Sequence, residues 1–190
     1  MLSPSDLKIG TLFIIDNEPY EVLDSRHVLL GRGRGHYEIR IKNLKTGAVF
    51  QKSFRTADSF PEADINYRSI KYLYNHRNEF WFSDPNKPSE RFFLSEEKIG
   101  DLKKFLKTNA MIEAVIFNNE IINIDLPIKM DFKVIEAPPG VRGDSSKSGA
   151  KVVKIETGAE INAPLFIEEG DVIKINTQSG QYVERVEKRK

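Results

Sequence analysis

Apolar and polar residues alternate with a period of two along most of the chain. Turn-forming residues interrupt the alternation roughly every 8 to 12 positions, which predicts short antiparallel strands in small all-β modules. Thr11 to Ile15 and Tyr20 to Leu23 read as a hairpin across Asp16-Asn17-Glu18-Pro19. Tyr37, Ile39 and Ile41 alternate with Glu38, Arg40 and Lys42, the pattern of a half-buried strand. Asn43-Leu44-Lys45-Thr46-Gly47 then turns the chain into a strand over Ala48 to Phe54. The segment Gly31-Arg32-Gly33-Arg34-Gly35 therefore falls between two strands, at a hairpin tip. Residues 1–64 form a first module with a small barrel core.

A second module, residues 65–127, carries expected strands at Ser69 to Tyr74, Glu79 to Ser83 and Arg91 to Leu94. Ser95 is a suitable N-cap for a short helix, and Glu96 and Glu97 suit its positive end. Ile99, Leu102, Phe105 and Leu106 supply an apolar stripe at helical spacing. Met111 to Phe117 and Ile121 to Leu126 pair across Asn118-Asn119-Glu120, and the set suggests an OB-like barrel. In a third module, residues 128–190, a Pro-, Gly- and Ser-rich loop from Ala137 to Gly149 reads as mobile. It precedes strands at Lys151 to Ile155, Ala159 to Ala163, Asp171 to Thr177 and Tyr182 to Val186. Three β modules in series, without a long linker, predict an elongated, semi-rigid protein.

Composition narrows this picture. Hydrophobic residues make up 39% and charged residues 30% of the chain, enough for several small cores. No run approaches the roughly 18 apolar residues of a membrane span, so no membrane association is expected. The opening MLSPSDLKIG lacks a basic segment followed by an apolar one, which predicts a cytoplasmic protein. The absence of cysteine excludes disulfides, thiol catalysis and cysteine metal sites. The net charge is only +1, but its distribution is uneven. From Arg26 to Arg55 eight basic side chains face Glu38 alone, the footprint of a nucleic-acid site.

The search for catalytic chemistry is nearly empty. Gly31-x-Gly33-x-Gly35 is neither the dinucleotide fingerprint nor a P-loop. His27, His36 and His76 lack metal-ligand spacing, so no metal, cofactor or enzymatic step is expected. The arginine loop remains. Glycine permits close backbone approach, and arginine offers a planar fork suited to phosphates and bases. Spacing alone leaves two readings open: a slender RNA-facing probe, or a flexible tip with incidental arginines. A further alternative is a general OB-fold RNA-binding protein or RNA chaperone, with Phe80, Trp81 and Phe82 as candidate stacking residues. These three are consecutive, so at least one must face the core.

Four stretches carry a resemblance across the chain: DLKIGTLFIIDNEPYEVLD (Asp6 to Asp24), IRIKNLKTGAVFQKSFR (Ile39 to Arg55), YLYNHRNEFWFSD (Tyr72 to Asp84) and PLFIEEGDVIKINTQSGQYVERV (Pro164 to Val186). Together they resemble the bacterial elongation factor P family, itself related to the hypusine-containing translation factor of eukaryotes and archaea. The resemblance implies a KOW/SH3-like barrel and two OB-like barrels in an L shape comparable to a tRNA. It also implies a monomer that binds the bacterial ribosome between the P and E sites, stalled on consecutive prolines. The first-domain loop would then position the CCA end of the prolyl peptidyl-tRNA. By the family pattern, Arg34 is the tip residue, supported by Gly31, Arg32, Gly33, Gly35 and His36. Arg32 replaces the family's proline. Arginine-tip relatives can carry rhamnose, placed by a modifying enzyme. Two alternatives thus stand: a rhamnose-bearing Arg34, or an unmodified loop in which Arg32 adds a second fixed charge. Arg40 and Lys42 are candidate contacts to tRNA phosphates. Gly143-Asp144-Ser145 resembles the family's Gly-Asp-Thr element at the E-site codon of the mRNA.

Overall fold

The computed structural model describes residues 1–30, 34–139 and 149–189. Among these residues the regular structure is almost entirely strand, as the alternation predicts, and the strands form three antiparallel sheets. The first has the order β1 (Leu12–Ile15), β2 (Glu18–Leu30), β3 (Arg34–Asn43), β4 (Val49–Arg55). The second contains β5 (Ile65–His76), β6 (Glu79–Asp84), β7 (Lys87–Ser95), β8 (Met111–Phe117) and β9 (Glu120–Asp125), in the order β7-β6-β5-β8-β9. The third contains β10 (Lys129–Glu136), β11 (Ala150–Ile155), β12 (Glu160–Pro164), β13 (Val172–Asn176) and β14 (Gln181–Glu187), in the order β12-β11-β10-β13-β14. By packing, the chain forms two compact units, Met1–Ile70 with Glu113–Asp125 and Lys71–Ile112 with Leu126–Lys190.

Turn chemistry explains several strand ends. Asp16-Asn17, Arg77-Asn78 and Asn118-Asn119 each join two strands, and all six residues have φ between 49° and 65°. Positive φ at both central residues is the demand of a two-residue hairpin whose twist matches its strands. The connections are therefore tighter than the sequence pattern implies. Glu18 and Pro19 already pair with Ile15 and Ile14, and Glu120 pairs with Phe117.

The helix expected from Ser95 to Leu106 is shorter and broken. One α-turn, α1 (Glu96–Ile99), runs into a 3-10 segment over Gly100–Phe105, where Gly100 adopts φ 55°. Ser95 occupies the N-cap position, yet its hydroxyl makes no capping bond. The apolar stripe decides the packing all the same, since Ile99, Phe105 and Leu106 are buried and Leu102 half-buried.

In the first unit, Leu7, Phe13, Val22, Ile39 and Ile41 are fully enclosed. Phe60 packs edge-on against Phe13 at 5.4 Å and against Phe54 at 4.8 Å between ring centres. A side chain of this size stabilises the fold by roughly 1.5–3 kcal/mol when fully buried. A second cluster gathers Leu44, Ala63, Val115, Phe117 and Ile122. Beside it the buried Asn123 is fully used: its amide donates to the Leu44 and Lys45 carbonyls at 3.2 and 3.3 Å. Its oxygen accepts from the Ile124 N–H at 2.8 Å.

In the second unit, Phe132, Val134, Ile155, Ile167, Ile173 and Ile175 form an enclosed core. Against it lies a buried carboxylate. Asp171 accepts the backbone N–H groups of Arg189 at 2.8 Å and Glu168 at 3.0 Å, and the guanidinium of Arg185 at 3.4 Å. Burial pushes its pKa up, but these donors more than offset that and hold it below the ordinary aspartate range. Asp171 thereby ties the turn before β13 to the residues that follow β14.

Candidate nucleic-acid interface

The most basic part of the sequence folds into one antiparallel arm, β2 against β3, which pair without a break from Asp24↔Arg40 to Leu30↔Arg34. The neighbouring strands leave it in turn. β1 accompanies β2 only as far as Glu21, and β4 accompanies β3 as far as His36, opposite Arg55. Beyond His36 the arm is a two-stranded ribbon, which alone is marginally stable in water. Its base is anchored by the enclosed Val22, Ile39 and Ile41. Nearer the tip, the His27 ring stacks on Tyr37 across the strands, with centroids 4.5 Å apart and planes 13° apart. Tyr37 packs in turn against the core cluster, so the stack connects the ribbon to the barrel interior.

Gly35 has a steric role here. A Cβ at this position would lie 2.6 Å from Nε2 of His27 and 3.2 Å from the Val28 carbonyl oxygen. Glycine is thus favoured by the ring passing over it and by the nearby Val28 carbonyl; left-handed backbone is not the reason. Its carbonyl also accepts the Thr56 hydroxyl at 3.5 Å.

Cross-strand register revises the charge reading. On one face of β3 stand His36, Glu38, Arg40 and Lys42, and their β2 partners are Val28, Arg26, Asp24 and Glu21. Glu21 and Asp24 precede the basic window in sequence, yet they lie opposite Lys42 and Arg40. Arg26 also pairs with Asp24 at 3.4 Å, and His36 lies 3.6 Å from Glu38. The arm's base is therefore nearly charge-balanced. From His27 to Tyr37 the sequence holds no carboxylate, so the positive excess grows outward. Arg40 and Lys42, with Arg55 of β4, make no ion pair among the described residues.

The structure thus gathers His36, Arg40 and Lys42 on one face and places Gly35 and His36 within β3. Arg34 opens that strand, opposite Leu30. Gly31, Arg32 and Gly33 lie outside the described residues, as do Gly143, Asp144 and Ser145 between β10 and β11. Arg26 and Arg55, the two ends of the basic stretch, also stand on this face, beside the positions expected to make contacts. Counting outward from the glycine loop in hairpin register finds Arg26, because paired residues 24 to 40 share a constant sum, whereas Arg55 on β4 joins the face only through its pairing with His36. Among the described residues no group of three or more His, Asp or Glu could hold a metal. No described helix is long and apolar enough to cross a membrane.

Comparison with known proteins matches these sheets one by one. Residues 3–60 match the family described as "Elongation factor P (EF-P) KOW-like domain", residues 65–124 its "OB domain", and residues 130–185 "Elongation factor P, C-terminal". Over 98% of its length the chain is 36% identical to the whole of elongation factor P from Carboxydothermus hydrogenoformans. Over 97% it is 38% identical to the whole of those from Moorella thermoacetica and Thermotoga petrophila. Among solved structures, the translation initiation factor 5A from Methanococcus jannaschii covers 65% of this chain and 94% of its own. The match has 17% identity and a TM-score of 0.45.

Proposed function

The chain belongs to the elongation factor P family and is a translation factor, not an enzyme, and on that footing we propose that it relieves ribosomes stalled on consecutive prolines. It binds the ribosome in the cytoplasm, as a monomer, between the P and E sites. There the β2–β3 arm reaches the CCA end of the prolyl peptidyl-tRNA. The observation that carries this reading is the arm's charge gradient, balanced at the anchored base and free of carboxylates toward the tip. Such an arm is repelled least where it is buried in its own protein and attracted most where phosphates crowd.

Arg34 is the residue assigned to the CCA end and the one that would carry rhamnose, with Arg32 as a second charge beside it. Arg40 and Lys42 contact tRNA phosphates, and Gly143-Asp144-Ser145 the E-site codon. The factor makes no covalent step. It lends orientation: proline is a poor donor and acceptor, and holding the tRNA end in a reactive geometry removes entropy from the barrier.

The test is reconstituted translation of a message encoding three consecutive prolines. The chain purified from its native cell should restore full-length product, Arg34→Ala should abolish the effect, and Arg32→Ala should reduce it. An unchanged stall with native material overturns the reading. Intact mass of the same material decides the modification: the calculated mass means a bare Arg34, and one added deoxyhexose means rhamnose.

A further inference from the structure

A second surface in the molecule has the attributes of an RNA site. Along β6, Phe80 and Phe82 turn inward and are buried, so Trp81 faces outward. Its register partners are Tyr74 on β5 and Phe93 on β7. The three rings form one row across three strands. Tyr74 and Trp81 are nearly parallel at 6.3 Å and 22°, and Trp81 and Phe93 lie 5.3 Å apart. Tyr74 is 45% and Phe93 49% exposed. Isolated exposed rings are ordinary on a protein surface, but here two exposed rings flank a half-buried tryptophan in one unbroken row. Stacking within the row stabilises the sheet, yet Tyr74 and Phe93 remain exposed and Trp81 half-exposed.

The next row along the strands is Lys71, the buried Ser83 and Arg91, again aligned by strand pairing. These three residues also border a concavity of about 410 Å3 with Leu73 and Met111. In this unit Lys87, Lys103, Lys104 and Lys107 are each held by a carboxylate. Lys71 and Arg91 are held by none among the described residues. On the opposite side of the aromatic row stand His76, Glu79 and Ser95. The face is therefore polar in charge, with cations on one flank and a carboxylate on the other.

We propose that the row Tyr74–Trp81–Phe93, with Lys71 and Arg91 on its flank, binds a single-stranded segment of RNA. The rings stack on two or three unpaired bases and the two cations take the adjoining phosphates. Aromatic side chains on a sheet face are a recurring platform for unstacked bases, and a one-sided pair of cations orients the strand's backbone. Glu79 repels a backbone laid on the other flank. This site is separate from the arm and does not depend on the arm's role.

Trp81 is the sole tryptophan, so its fluorescence reports directly on the platform. Short oligoadenylate titrated into the full chain should quench it saturably, and oligouridylate, a weaker stacker, less tightly. Phe93→Leu should weaken binding about tenfold. Lys71→Gln and Arg91→Gln keep the aromatic row intact and so test the site without disturbing the sheet. Each should lower the slope of log affinity against log salt by about 0.7. The quench should persist in an Arg32→Ala, Arg34→Ala chain, which separates this site from the arm. A protein that rescues proline stalls yet shows no quench overturns this proposal alone. So does a quench that ignores Phe93→Leu and both glutamine variants, or a face that crosslinks on the ribosome only to protein.

Discussion

Two groups of arginines in this protein are put to opposite uses. Near the C-terminus, Arg185 donates to the buried Asp171, and Arg189 gives it a backbone N–H while its side chain pairs with Glu168 at 3.0 Å. On the arm and the adjoining end of β4, the side chains of Arg40 and Arg55 form no ion pair among the described residues, although Asp24 sits opposite Arg40 in register and the Arg55 backbone N–H donates to Asp58 at 2.8 Å. The first group is consumed by the fold. The second is held out to solvent on a strand face. A basic residue's meaning therefore depends on whether a partner has already satisfied its donors, and a count along the sequence cannot register that.

The contrast can be broken most directly at Asp171. Asp171→Asn removes the charge that Arg185 and two N–H groups surround, and should cost about 2–3 kcal/mol in urea unfolding. Because the folded pKa is depressed, this stabilisation is present above the ordinary value of 3.8 and is lost as pH falls below it. The variant's stability should accordingly fall less on acidification than that of the parent. At permissive temperature its rescue of proline stalls should persist. Loss of rescue in a folded Asp171→Asn chain would mean that the corner is more than structural.

A smaller effect is expected at the junction of structure and display. Gly35→Ala drives a methyl against the His27 ring and should cost about 1–2 kcal/mol. In a His27→Ala background the same change should cost less than about 0.5 kcal/mol, since the obstructing ring is gone. If the cost is unchanged, the Val28 backbone, not the His27–Tyr37 stack, sets the requirement for glycine.

The smallest change in stability belongs to the arm's cations. Arg40→Ala and Lys42→Ala should each alter unfolding by no more than about 0.5 kcal/mol. Each should instead lower the salt dependence of ribosome binding by about 0.7–0.9 in log–log slope. If either destabilises the fold as much as Asp171→Asn, the division between consumed and displayed arginines fails.

Period-two alternation was enough to find the strands, because burial of one face imposes that pattern locally. Pro, Gly and Asn clusters marked most of the turns for the same local reason. Loop lengths were less legible: four residues from Asp16 to Pro19 look turn-like, yet only two are needed once Asn17 accepts positive φ. The apolar stripe after Ser95 implies a longer helix than the one that forms, because Gly100 redirects the backbone beneath it. At the arm, the glycine–arginine alternation was visible at once. The carboxylates near its base were not, since Glu21 and Asp24 come to lie opposite Lys42 and Arg40 only through strand pairing.

The sequence by itself determined the all-β class, the absence of thiol chemistry and the carboxylate-free stretch from His27 to Tyr37. These follow from composition and short-range periodicity, which need no partner elsewhere in the chain. Tertiary structure alone decided which charges remain available, why position 35 favours glycine, and that Tyr74, Trp81 and Phe93 share one face. Each of those depends on which residues strand pairing brings side by side. Strand register sets that pairing, and a shift of a single residue would turn every one of those side chains to the opposite face.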